Sequence, residues 1–179
     1  FAAAMASATK PEDLDHALAQ MGTSQHPIVE QLQALINLDP ETLSSCTDVT
    51  GFGLLGHLGE MLQASSQSLH VVLDGSSIPA LPGAFKLLKA QYASSLAPAN
   101  RRAWSLLDPS QDQTAKVILA RADSSFNSED HQALLELLVD PQTCGPLLLG
   151  CSEAMADALL PANNTKWHHI GVVQSIKTD

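Results

Sequence analysis

The segment that most constrains this chain is the glycine-rich run TDVTGFGLLGH at residues 47–57, which opens an apolar stretch with helical spacing. Glycine lets the backbone approach a ligand closely, and the N–H groups at the start of a following helix favour an anion. Asp48 adds a carboxylate, which repels phosphate unless a divalent cation lies between the two groups. The segment therefore predicts a site for phosphate bridged by magnesium.

The same residues allow a second interpretation, a dinucleotide-binding fingerprint. Residues 51–56 read GFGLLG, which matches G-x-G-x-x-G, and Asp74 follows at a suitable distance. Two features argue against it, because residues 43–49 are too polar for a central parallel strand and Asp48 would face a pyrophosphate without a metal. A third interpretation is purely structural, with the glycines needed only for a tight turn and close helix packing.

Composition limits the class of protein. The chain has 179 residues, 45% of them hydrophobic, and no run long enough to cross a bilayer, so we expect one globular domain without membrane insertion. A net charge of -10 argues against nucleic-acid binding. The three cysteines are not spaced as a zinc or redox pair, which suits a reducing cytosol, and we expect a cytoplasmic protein. The apolar start lacks an initiator methionine and a basic leader, so we expect it to continue a longer protein.

The apolar spacing predicts helices and short strands in irregular alternation, which favours an α+β sandwich over a doubly wound sheet. Ser128 is expected to cap one of the helices. Residues 108–127 have the weakest pattern, and we expect an exposed insertion there around a short strand. The predicted helices are 13–21, 28–38, 51–64, 84–92, 128–138 and 153–160, and the predicted strands are 70–74, 116–119, 147–151 and 167–176.

Two segments, TDVTGFGLLGHL at residues 47–58 and DPQTCGPLL at residues 140–148, resemble the C-terminal domain of selenophosphate synthetase, also called selenide, water dikinase. The connector IPALPG at 78–83 and the closing IGVV at 170–173 also resemble that family, which belongs to the aminoimidazole ribonucleotide synthetase superfamily. The resemblance covers almost the whole chain. It implies an α/β sandwich with a mixed sheet packed by helices, and residues 1–179 as a single C-terminal domain whose N-terminal partner domain is absent from this sequence.

The resemblance also implies a function. The family makes selenophosphate, AMP and phosphate from ATP, selenide and water, with Mg²⁺ ions along the triphosphate. Asp48 matches the one metal ligand that the C-terminal domain contributes, and Thr50 and Gly51 match positions suited to phosphate contacts. Most ligands and the catalytic cysteine or selenocysteine belong to the N-terminal domain, so we expect no catalytic residue here and an inactive isolated chain. The full-length protein is expected to be a homodimer.

The second segment departs from the family pattern. Cys144 stands where serine is usual, and Pro146 stands where a second glycine is usual. Because proline has no N–H, we expect this loop to act as a scaffold, with Asp140 and Thr143 stabilising a turn.

Several alternatives stay open. Asp48 is also suited to capping the following helix, and His57 to packing or a surface hydrogen bond. Arg101 and Arg102 are either an anion contact or a solvated surface pair, and Ala103 replaces an asparagine that the family often carries nearby. For the whole chain, the alternatives are another ATP-dependent kinase or ligase of the superfamily, or a non-catalytic scaffold domain.

Overall fold

The computed structural model describes residues 1–110, 115–120, 127–160 and 167–175. The strands are β1 (Leu43–Asp48), β2 (Leu69–Asp74), β3 (Ala115–Ala120), β4 (Leu147–Cys151) and β5 (Gly171–Ser175). The α-helices are α1 (Ala2–Met5), α2 (Pro11–Met21), α3 (His26–Leu38), α4 (Gly53–Gln63), α5 (Ala84–Lys89), α6 (Ala97–Asn100), α7 (Ser128–Val139) and α8 (Glu153–Leu159). Two 3-10 helices cover Pro40–Thr42 and Arg101–Leu107. Among the described helices, none is both long and apolar enough to cross a bilayer.

The larger sheet has the order β3-β2-β5 and is mixed. The central strand β2 runs parallel to β3 and antiparallel to β5. Side chains alternate across it, so Val71 and Leu73 point into the core, whereas Val72 lies between the half-exposed Ile118 and Val172 on the outer face. A mixed sheet packed by helices confirms the predicted α+β class.

The main core lies between this sheet and helices α4 and α7, which contact each other. Leu55 of α4 and Leu138 of α7 are completely buried. Burying one such side chain fully contributes about 1.5–3 kcal/mol, so this layer is the principal source of stability. The buried core residues of these elements include Leu55, Leu58, Leu62, Val71, Leu73, Ala115, Val117, Leu138 and Val139.

The smaller sheet pairs β1 with β4 in antiparallel register, with Asp48 opposite Leu147. Side chains of β1 alternate between half-buried and exposed, which an antiparallel strand with one solvated face allows. The polarity of residues 43–49 correctly argued against a central parallel strand, but it did not exclude an antiparallel strand with one solvated face. A second apolar cluster, centred on Leu32, Met155 and Leu159, includes partly buried residues of β4.

This topology shows that the dinucleotide-binding interpretation is wrong. β1 pairs with β4 in antiparallel register, and no parallel strand neighbours it among the described residues. The Asp74 carboxylate accepts hydrogen bonds from Ser76 N and Oγ and from Ser77 Oγ, at 2.7–2.9 Å. These bonds lower the pKa of the Asp74 carboxyl. Asp74 thus stabilises the turn that follows β2.

Several predicted boundaries were wrong for local reasons. Helix α4 begins at Gly53 instead of residue 51, and α5 ends at Lys89 instead of residue 92, near Gln91 with φ +66°. The cap of α7 is Asn127 instead of Ser128: its side chain accepts from Asp130 N at 2.9 Å, and Asp130 Oδ2 accepts from Asn127 N. Strand β5 begins at residue 171 instead of 167, and the predicted end at residue 176 lies outside the described residues.

The predicted exposed insertion at residues 108–127 was wrong for residues 115–120. These form β3, an integral strand of the mixed sheet, and Val117 is only 1% exposed. The strand expected at 116–119 is thereby confirmed with one more residue at each end. Residues 111–114 and 121–126 of that range lie outside the described residues.

Candidate functional site

The two sequence segments that suggested a site lie side by side. We call residues 48–53 the first loop and residues 140–146 the second loop. They meet because β1 ends where β4 begins, and Val49 N donates to Pro146 O at 2.8 Å. Gln142 N donates to Thr50 O at 3.0 Å, so backbone hydrogen bonds join both ends of the contact.

A third segment holds the first loop from the other side. Asn100, at the end of α6, is 7% exposed, and its Nδ2 donates to Gly51 O at 2.8 Å and to Val139 O at 3.0 Å. Val139 is the last residue of α7, where carbonyl groups lack helical partners. One amide thus satisfies a helix end and fixes the glycine loop. The sequence interpretation looked for an asparagine at Ala103 and missed Asn100.

Asp48 is the last residue of β1 and is exposed. Within the described ranges its carboxylate has no hydrogen bond or ion pair. The N-cap position of α4 is Phe52, without a side-chain cap, so the alternative that Asp48 caps this helix is wrong. The carboxylate is thus available for a ligand outside the described chain.

Two glycines of the first loop differ in what surrounds them. A Cβ at Gly53 would lie 2.6 Å from the backbone carbon of Val139, and its φ is +72°, so the fold requires glycine there. A Cβ at Gly51 would meet no heavy atom of the described residues within 4 Å. Packing therefore explains the glycine at Gly53, whereas Gly51 has open space beside it.

Thr50 and His57 are joined, although the sequence interpretation treated them separately. Thr50 Oγ1 lies 3.1 Å from His57 Nε2, and His57 Nδ1 lies 3.1 Å from Glu60 Oε2. His57 is 8% exposed, so it is packed as expected, and both of its ring nitrogens have partners. The sequence carries a signal for the contact between His57 and Glu60, which are three residues apart on α4, but none for the contact of His57 with Thr50 in the preceding turn.

The two arginines have different environments. Arg101 is engaged with Glu136: Nη2 lies 2.9 Å from Oε1, and Nε donates to Oε2 at 3.3 Å. Arg102 is exposed, and its guanidinium lies 5.8 Å from the ring centroid of Phe52, a first-loop residue whose ring is 5.5 Å from that of His57. Among the described residues no carboxylate pairs with Arg102. Arg102 is therefore the arginine suited to meet an anion at this site.

The polar groups of the second loop bond to one another and to neighbouring segments of the chain. Asp140 is half-buried, and Gln142 Nε2 donates to its Oδ2 at 3.1 Å. Burial raises the pKa of Asp140, and this hydrogen bond opposes the rise. A Cβ at Gly145 would overlap the carbonyl oxygen of Val49, and Gln25 Nε2 donates to Gly145 O at 2.9 Å. Thr143 is exposed.

The cysteines are Cys46, Cys144 and Cys151, all of them free. Cys46 lies two residues before Asp48 on the exposed side of β1. Partial burial and the negative charge of Asp48 raise the pKa of the Cys46 thiol. It therefore stays protonated near neutral pH, where a thiol is a poor nucleophile and a poor metal ligand.

The residues present fit magnesium only as a partial site. Among the described residues, no three His, Cys, Asp or Glu side chains form a group that could hold a metal ion. Magnesium is commonly bound through one or two carboxylates together with substrate phosphates and waters. A single available carboxylate beside open backbone suits that mode and excludes a self-contained cage within the described part of the chain.

Comparison with known proteins places these features in a family. Residues 2–177 match the family model described as AIR synthase related protein, C-terminal domain. The chain is 35% identical to a selenide, water dikinase of Agathobacter rectalis over 118 residues, which are 66% of this chain and 29% of that protein. It is 36% identical to one of Rhizobium meliloti, over 74% of this chain and 33% of that protein, and 31% identical to one of Nitratidesulfovibrio vulgaris, over 75% and 34%. The chain thus spans about a third of the length of these curated relatives.

Proposed function

The chain belongs to the family of AIR synthase related proteins, as their C-terminal domain, and we propose that the protein containing it is a selenophosphate synthetase. That protein would convert ATP, selenide and water into selenophosphate, AMP and phosphate. In this proposal an N-terminal domain holds most of the ATP and the catalytic residues, while the present domain closes the site. The proposal has two supports, the relatives named selenide, water dikinase and the available carboxylate of Asp48 beside an open glycine loop.

The first loop provides the contacts in this proposal. Asp48 would be one oxygen ligand of a Mg²⁺ ion that also binds phosphate, and Mg²⁺ supplies neutralisation of the charge that develops on transfer. The open space beside Gly51 lets phosphate approach the backbone, and Asn100 holds this loop in place before ligand arrives. The exposed Arg102 is suited to pair with a further phosphate oxygen.

The carboxylate of Asp48 is the group to test. In the full-length protein, Asp48→Asn removes one charge from an exposed side chain, so we expect the free energy of unfolding to change by less than about 0.5 kcal/mol. We expect selenide-dependent AMP formation to fall by about 100-fold or more, with a higher Mg²⁺ requirement. Replacing a residue that only supports a metal ligand already lowers metal affinity or activity strongly, and replacing the ligand itself should cost at least as much. The measurement is AMP formation against Mg²⁺ concentration.

Asp157→Asn is the matched control, because Asp157 is an exposed aspartate on α8 and belongs to neither loop. An Asp48→Asn variant as active as this control at every Mg²⁺ concentration would refute the metal role. AMP formation that does not depend on selenide would point to another kinase or ligase of the superfamily. The present chain alone is expected to form no AMP.

A further inference from the structure

Thr50, His57 and Glu60 form a linked chain of three side chains that leads from the first loop along α4. The two links are both 3.1 Å long, from Thr50 Oγ1 to His57 Nε2 and from His57 Nδ1 to Glu60 Oε2. His57 is nearly buried, with the Phe52 ring beside it, whereas the Glu60 side chain is 59% exposed. The link from Thr50 to the nearly buried His57 is therefore electrostatically stronger than the same bond would be in water.

For a neutral His57, the ionised carboxylate of Glu60 fixes the direction of both links. An ionised carboxylate only accepts hydrogen bonds, so Glu60 requires the proton on Nδ1 of His57. In a neutral imidazole the other nitrogen is then an acceptor. Nε2 therefore accepts, and the Thr50 hydroxyl must donate its single hydrogen to it.

This arrangement restricts what Thr50 can offer a ligand. With its hydrogen committed to His57, the hydroxyl oxygen presents only lone pairs to the site. Phosphate oxygens are acceptors as well, so Thr50 cannot donate to them in this state. A ligand of the Thr50 hydroxyl therefore has to supply a hydrogen or a positive charge. Asp48 lies two positions earlier in the chain, so the Cα atoms of the two residues are within about 7 Å of each other.

We propose that His57, oriented by Glu60, is a positioning residue that makes Thr50 an acceptor for a water molecule of the Mg²⁺ ion at Asp48. This inference rests on the proposed function and replaces the sequence-based expectation that Thr50 contacts phosphate, because Thr50 then supports the hydrated ion. Mg²⁺ retains several waters when it binds through few carboxylates, and such waters are hydrogen-bond donors. Glu60 and His57 thus act on the ion only through Thr50.

A double-mutant cycle tests this dependence. In the full-length protein, we expect Thr50→Val, which keeps the shape and removes the hydroxyl, to weaken Mg²⁺ binding in the presence of ATP by about 10-fold. His57→Phe is expected to weaken it by a similar factor alone and by less than about 2-fold in the Thr50→Val background. Additive effects would mean that His57 does not act through Thr50 and would overturn the inference.

A conservative variant separates positioning from packing. His57→Gln retains an oxygen that can accept from Thr50, so we expect Mg²⁺ affinity within about 3-fold of the unmodified protein, against about 10-fold loss for His57→Phe. Equal losses in the two variants would assign His57 a packing role only. Asp48→Asn, measured beside them, separates two failures. If it leaves Mg²⁺ binding unchanged, the metal role of Asp48 in the proposed function fails, and this inference fails with it. If it weakens binding while the cycle is additive, only this inference fails.

A direct measurement determines which ring nitrogen of His57 carries the proton in the unmodified protein. In protein labelled with 15N-histidine, the ring nitrogen shifts of His57, identified by their loss in His57→Gln, are expected to show a proton on Nδ1 and none on Nε2. Glu60→Ala is expected to move the proton towards Nε2 and to weaken Mg²⁺ binding. A proton on Nε2 in the unmodified protein, with or without one on Nδ1, would leave the Thr50 hydroxyl free to donate and would overturn the proposal.

Discussion

The two loops of the site touch each other yet differ in how their polar groups are used. The first loop leaves the Asp48 carboxylate without a partner among the described residues and has open space beside Gly51. The second loop directs Gln142 to Asp140 and to Thr50, and it packs Gly145 against the Val49 carbonyl. The first loop thus leaves groups available for a ligand, whereas the second loop holds the first in place.

This difference explains why the second loop accommodates Cys144 and Pro146. At Pro146 the proline removes an N–H, but its carbonyl still accepts from Val49 N. A supporting loop needs its carbonyl and its shape, and proline preserves both. Cys144 occupies left-handed backbone with φ +51°, a conformation that costs a residue with a Cβ about 1–2 kcal/mol. Its side chain is exposed.

Replacing one glycine in each loop tests the difference between the loops with the largest expected effect. Gly145→Ala would drive a Cβ into the Val49 carbonyl oxygen, and we expect a loss of about 3 kcal/mol in the free energy of unfolding. Gly51→Ala meets open space, so we expect a change of less than about 0.5 kcal/mol together with weaker ATP binding. Urea unfolding and ATP titration of both variants provide the measurement. Equal stability losses would contradict the division between the loops.

Removing the side chain of Asn100, which holds the first loop from outside, is expected to have a smaller effect. Asn100→Leu leaves the carbonyls of Gly51 and Val139 without their donor, and an unsatisfied buried group costs about 1–3 kcal/mol. We therefore expect about 2 kcal/mol lower stability and weaker ATP binding. Asn37→Leu, at an exposed position of α3, is the matched control in urea unfolding. An Asn100→Leu variant as stable as this control would show that the first loop holds its shape unaided.

The smallest expected effect concerns pH and the second loop. Because burial raises the pKa of Asp140, the folded protein binds its proton more tightly than the unfolded chain does. The resulting contribution to stability is present below the unfolded pKa and is lost as pH rises through the folded pKa. Asp140→Asn keeps an acceptor for Gln142 and removes the charge, so its stability should decline less over that acidic window. Parallel pH profiles of the two proteins would contradict the prediction.

Much of the fold could be predicted because its signals are local. Helices α4 and α7 follow apolar spacing, and β2 and β3 are short apolar runs, so their existence was predicted to within a few residues. β1 escaped prediction because one of its faces is polar and its partner β4 is distant in sequence. Tertiary pairing made that segment a strand, and periodicity alone does not reveal such pairing.

The site was less predictable than the fold. The motif predicted Asp48, Thr50 and Gly51 as site residues, and the structure places the three on one loop; their contacts with metal and phosphate stay a prediction. Asn100 was missed because its role depends on two carbonyl groups, those of Gly51 and Val139, that only the folded chain brings together. The link from Thr50 to His57 was also missed, since the turn at Gly53 sets that distance and no periodic rule specifies it.

The pairing of Asp48 with Leu147 has a consequence for folding. These residues are about 100 positions apart, and contacts between distant residues form slowly because a long loop must first close. Helix α4 can form early from neighbouring residues, but the first loop acquires its shape only when the second arrives. We therefore expect the proposed ligand-binding surface to be among the last parts of this domain to assemble during folding and the first to be lost when β4 separates from β1.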